Sequence, residues 1–214
     1  MNDALPFLTL AIGALLMATA ARTATLPLTP WIGLPCLVYA VRSLPAVPGL
    51  ISLLVTLYLA LAVGLRGLLP APDPLYFAVL VPIVLATAAP FAVDRLIAVR
   101  WEGWLSTLFF PLTFVVVEFA NARLGPYTTN GSIAYSQFGH LALMQIASVT
   151  GIFGITFLLA WFGSIAAWAI GRGPEWSDAA IPVLSCGLTL AAVLFAGDVR
   201  LAATASDRHT RVPP

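Results

Sequence analysis

Side chains able to do chemistry are few in this chain. Its ten basic residues are all arginine, and no lysine occurs. That removes every step needing a lysine amine as acid, base or imine former. Cys36 and Cys186 each sit inside an apolar run. A thiolate nucleophile needs an electropositive, partly exposed setting, so both read as small buried hydrophobes. His140 and His209 lack partners at metal-ligand spacing, and no Ser-His-Asp set, phosphate loop or glycine-rich nucleotide motif is present. No catalytic residue, metal or cofactor is expected. What stands out is PYTTNGSIAYSQFGH, Pro126 to His140, with Glu118 before it and Gln145 after it. It carries no Lys, Arg, Asp or Glu. Thr128, Thr129, Ser132, Ser136 and Gln137 can all donate or accept hydrogen bonds without charge.

The elements that must position this stretch follow from composition. Of 214 residues, 60% are hydrophobic and 9% charged, with mean hydropathy +0.97. Soluble domains carry about 25% charged residues, so this chain cannot cover a water-facing surface. It reads as an all-α polytopic transmembrane bundle. The formal net charge of +1 points to no nucleic-acid partner.

A span takes about 20 apolar residues, and seven candidates appear. They run from about Leu5 to Ala21, Pro30 to Leu44, Pro48 to Leu65, Leu75 to Val93, Trp104 to Ala122, Leu143 to Ile170 and Ala179 to Phe195. The sixth is long, so it is expected to tilt or to begin with a separate interfacial turn. The first begins with Asp3 and no basic residue, so it reads as a retained span rather than a leader. Pro35, Pro82 and Pro90 lie inside spans, where neighbouring helices can re-satisfy the freed carbonyls. Asp94, Arg95, Arg100 and Glu102 mark an aqueous connection beside Trp101 and Trp104. Residues 1–196 therefore form the bundle, 124–141 an interfacial loop, and 197–214 a polar, extended tail. Arginine is nearly balanced between the two sides outside the tail, so charge alone does not orient the bundle.

Gly125-Pro126 should end the fifth span, and Asn130-Gly131 and Gly139 are turn signals. Tyr127, Tyr135 and Phe138 are interfacial types. Irregular backbone at membrane depth is tolerated only against protein or a wet cavity. Tyr127, Tyr135, Ser136 and Gln137 are therefore expected either to line a substrate path or seat another domain, or to satisfy the loop's own backbone. Glu118 is expected to orient the loop or face a lipid-entry cleft, or else to pair with Arg123 or water. Gln145 is expected to line the same substrate path or docking face, or else to hydrogen-bond across helices, and Gly151 and Gly154 are expected to let helices pack closely.

The run from Glu118 through Tyr135-Ser136-Gln137 to Gln145-Ile146-Ala147, then Gly151-Ile152-Phe153-Gly154-Ile155-Thr156-Phe157-Leu158, resembles the membrane domain of the apolipoprotein N-acyltransferases and their membrane-anchored carbon–nitrogen hydrolase relatives. The resemblance is motif-specific over Glu118 to Leu158 and covers most of the remaining chain as a pattern of spans. It implies a multi-pass protein of a bacterial-type inner membrane. In that family the helices anchor a nitrilase-like domain and help admit phospholipid and lipoprotein. A Glu-Lys-Cys triad in the nitrilase-like domain moves an acyl chain from phospholipid to a cysteine, then to a lipoprotein's N-terminal amine. No such triad can be built from a sequence without lysine, so this chain is expected not to be catalytic alone. Expected partners are membrane lipid and a separate nitrilase-like hydrolase chain or lipoprotein. Two alternatives stand beside this: a truncated remnant or fragment of such an enzyme, and a small membrane transporter or lipid-handling protein.

Overall fold

The computed structural model describes residues 4–20, 26–101, 103–125, 128–172 and 180–211. Tyr127, Arg22, Glu102 and the connection at 173–178 lie outside the described residues. Nine α-helices are described: α1 (Leu5–Ala20), α2 (Thr29–Ser43), α3 (Ala46–Gly64), α4 (Asp73–Ile97), α5 (Phe109–Leu124), α6 (Leu141–Met144), α7 (Ala147–Thr150), α8 (Ile152–Arg172) and α9 (Ala180–Arg211). Strands are absent among the described residues.

Among the described residues, five helical segments are long and apolar enough to cross a membrane: Ala46–Gly64, Asp73–Ile97, Trp104–Leu124, Ile152–Gly171 and Ala180–Thr204. The first two expected spans form shorter helices, α1 of 16 and α2 of 15 residues. At 1.5 Å rise per residue, α2 is roughly 22 Å long, short of the ~30 Å hydrocarbon core. It is nevertheless the hub. Nine of its residues are buried, including Leu34, Leu37, Val38 and Val41, and it packs against α1, α3 and α8. Gly163 on α8 permits the closest approach, since a Cβ there would lie 2.8 Å from the Leu34 Cβ. Helix association in lipid depends on such small-residue contacts, because lipid tails are as apolar as leucine.

Of the two forms expected for the long sixth span, the structure takes the one that begins with separate turns: α6 and α7 are single turns, and Gly151 at φ +66 precedes α8. Four other expectations change. Gly151 is thus a turn residue rather than a helix-packing one, because only glycine takes that conformation freely. Residues 197–211 are not extended but continue α9. No proline falls between Gly197 and Arg211, so nothing local stops the helix. Asp94 lies not in an aqueous connection but inside the bundle, 2% exposed. Arg42 on α2 donates to it through Nε (2.8 Å) and Nη2 (2.7 Å). Arg42 also donates to the Ser164 carbonyl (3.1 Å) and Oγ (2.8 Å) on α8. One guanidinium therefore ties three helices together. Finally, Gln145 reaches only its own turn, at 3.5 Å from the Leu141 carbonyl, rather than another helix.

The interfacial turns are held by α9. A Cβ at Gly197 would lie 2.1 Å from the Ala142 carbonyl oxygen, and Arg200 donates to the Ser148 hydroxyl. Gly197→Ala should push α6 off α9 and cost about 1–3 kcal/mol. Gly187→Ala, on the same helix with nothing within 4 Å, should be neutral or stabilising by up to about 1 kcal/mol. Thermal unfolding of both variants in mild detergent checks the pair; equal effects would contradict the Gly197 contact.

Candidate functional site

The stretch 128–138 folds as a cap built from local turns. Thr128 has φ +53, Gly131 φ +88 and Gly139 φ +99. The Asn130-Gly131 and Gly139 turn signals thus lie where the chain needs left-handed backbone. Between the two glycines, Ile133–Gln137 forms a 3-10 turn whose N-cap, Ser132, accepts from the Ala134 N–H at 3.3 Å.

Two side chains fasten this cap at opposite ends. Glu118 on α5 is the first. Its carboxylate accepts from the Ser132 hydroxyl (2.9 Å), the Ile133 N–H (2.9 Å) and the Thr156 hydroxyl (2.6 Å). It therefore joins α5, the cap and α8. Hydrogen bonds to a charged acceptor are the stronger kind. Arg123 does not pair with Glu118; its guanidinium lies over the Phe119 ring, 5.3 Å from the centroid. Among the described residues Glu118 has no ion-pair partner.

Gln137 is the second fastening, 1% exposed. Its amide donates to the Pro27 carbonyl (2.8 Å) and the Ser136 hydroxyl (3.0 Å), and its oxygen accepts from the Trp31 indole (3.1 Å). Every one of these bonds is needed, because a buried amide left unpaired is costly. Ser136 in turn donates to the Ile133 carbonyl at 2.6 Å. Tyr135 stays 46% exposed, its hydroxyl 2.8 Å from that of Thr129. Gln145 takes no part in this cluster.

Under the cap lies a cavity of about 740 Å³. Its walls come from α1 to α5, and its roof from Gly131, Ser132, Ile133, Tyr135 and Phe138. Glu118 and Asn121 bring polarity to the roof end; the walls below are Leu, Ala, Ile and Phe. A volume of that size falls within the roughly 300–1,000 Å³ of small-molecule sites. Of the expected residues, Glu118 and Tyr135 border the cavity, whereas Ser136 and Gln137 hold the cap in place. Trp31, Thr156 and Ser132 are neighbours of these side chains that the sequence alone does not single out as site residues.

Comparison with known proteins agrees with this architecture. The family model described as the apolipoprotein N-acyltransferase N-terminal domain matches residues 12–165. The apolipoprotein N-acyltransferase of Geobacter metallireducens is 35% identical over 107 residues, which make up 49% of this chain and 20% of that protein. The chain thus matches only a fifth of that relative's length. No solved structure matches it. The matched residues include the cap, both of its fastenings and every residue that borders the cavity, and on that ground this multi-pass membrane protein belongs to the apolipoprotein N-acyltransferase N-terminal domain family.

Proposed function

We propose that this bundle holds a phospholipid acyl chain in the capped cavity and feeds that lipid to a carbon–nitrogen hydrolase domain. The hydrolase domain is supplied elsewhere, in a longer polypeptide or a separate chain, and the assembly sits in a bacterial-type inner membrane. The observation that carries this reading is the cavity itself, apolar along its walls and polar only at its roof. The bundle of residues 1–196 does the holding. The 124–141 loop and the polar segment 197–214 form the docking face for the hydrolase domain or lipoprotein, a reading supported by the packing of α9 against α6. The 214 residues have no acyl-transfer chemistry of their own: no lysine is present, and both cysteines lie on apolar helices, Cys186 buried.

The test is reconstitution of the chain in vesicles with phospholipid and a diacylated lipopeptide. No N-acylated product is expected until a hydrolase domain bearing a Glu-Lys-Cys set is added. Transacylation by the chain alone would overturn the non-catalytic reading. Lack of any lipid in the purified protein would overturn the lipid-holding one.

A further inference from the structure

The cavity has an aromatic end opposite its capped one. On α5, Phe114 lies seven residues before Asn121, or about 10 Å deeper. Phe114 and Phe91 both border the cavity. Behind them Phe110 is fully buried, with ring centroids 4.8 Å from Phe91 and 5.6 Å from Phe114. The three rings form a continuous aromatic wall. Asp94 follows Phe91 by three residues, and its pair with Arg42 locks α2 to α4 just past that wall. No residue bordering the cavity lies deeper than Phe91 on α4 or Phe114 on α5.

The deep walls offer nothing polar to a ligand. Thr87 borders the cavity, but its hydroxyl donates to the Ile83 carbonyl at 2.8 Å. The other polar side chains that border the cavity lie toward the roof: Glu118, Asn121, Ser132 and Tyr135. An amphiphile must therefore enter tail first. The bore is kept open by Ala18, Ala60 and Ala86, one from each of α1, α3 and α4. Along α4 the lining runs from Ile83 to Phe91, about 12 Å of helix rise. That is close to one leaflet's share, about 15 Å, of the hydrocarbon core. One tail, drawn from one leaflet, matches this depth.

We propose that the Phe91–Phe110–Phe114 wall is a molecular ruler that sets the length of the acyl chain the cavity accepts. Phe91 and Phe114 are then specificity-determining residues, and Ala60 and Ala86 define the bore. This rests on the lipid-holding function proposed above. A chain too long for the floor leaves methylenes outside; a chain too short leaves apolar surface unfilled. Either mismatch lowers retention, by about fourfold per methylene that loses its burial.

The experiment uses the whole chain, purified in mild detergent and equilibrated with synthetic phosphatidylcholines that differ only in chain length. Native mass spectrometry reads which lengths stay bound. The wild-type protein is expected to retain a narrow range of lengths. Phe91→Ala should move that range to longer chains, and Ala86→Phe should move it to shorter ones. Ala60→Phe serves as a second shortening variant, so that loss of folding in Phe91→Ala still leaves a decision. Retained lipid with the same length profile in every folded variant would overturn the ruler and leave the lipid-holding reading intact. Failure of the wild-type protein to retain any phosphatidylcholine would overturn both.

Discussion

Asp94→Ala is expected to cost about 3–5 kcal/mol of stability, because it leaves the Arg42 guanidinium buried without its counter-ion. Asp94 is 2% exposed and Arg42 15% exposed at their side chains, with a bidentate contact between them. The Ser164 carbonyl and hydroxyl would then be the only partners left for Arg42 at this site. Removing both charges together is a different matter. The double variant Arg42→Leu, Asp94→Leu should recover much of the loss, since replacing a buried ion pair by apolar residues is often neutral. Unfolding in mild detergent, followed by helical circular dichroism, measures all three species. Single variants as stable as the wild type would show that the pair contributes nothing to holding α2, α4 and α8 together.

Glu118→Ala should release the cap without unfolding the bundle. The change removes the acceptor for three donors: the Ser132 hydroxyl, the Ile133 N–H and the Thr156 hydroxyl. Hydrogen bonds to charged groups contribute about 1.5–3 kcal/mol each, though not additively. Local opening of the cap should become at least about a hundredfold more frequent. Hydrogen exchange at the Ile133 amide reads this directly. Glu118→Gln should fall between alanine and wild type, because its NH₂ group turns a donor toward donors. The Arg42 end of the bundle, fastened independently, should keep its protection. A protected Ile133 amide in Glu118→Ala would mean that Gln137 and its bonds to Trp31 and Pro27 suffice to hold the cap.

These two sites show how unevenly the chain could be read. The Asn130-Gly131 and Gly139 turns were legible because positive φ is a single-residue property. The break at Gly151 is equally local: the length of the apolar run leaves a tilt or a separate turn open, and the positive φ of Gly151 decides for the turn. Asp94 was misplaced for a related reason. A carboxylate beside Arg95 and Arg100 reads as solvent, and only the packing of α2 against α4 and α8 supplies the buried guanidinium that accounts for it. Gln145 was assigned a reach across helices, and the single-turn α6 turns it back on its own carbonyl.

By itself, the sequence determined that this is a multi-pass helical bundle with a neutral polar cap. Charge content and hydropathy add residue by residue, and 9% charge cannot cover a water-facing surface whatever the fold. Tertiary structure alone decided which polar groups meet and where space is left. Arg42 and Asp94 are 52 residues apart, Glu118 and Thr156 are 38, and Trp31 and Gln137 are 106. Such partners are chosen by how helices rotate and cross. The cavity depends on the same geometry: it is space that five helices and a cap fail to fill, and no count along one chain records it.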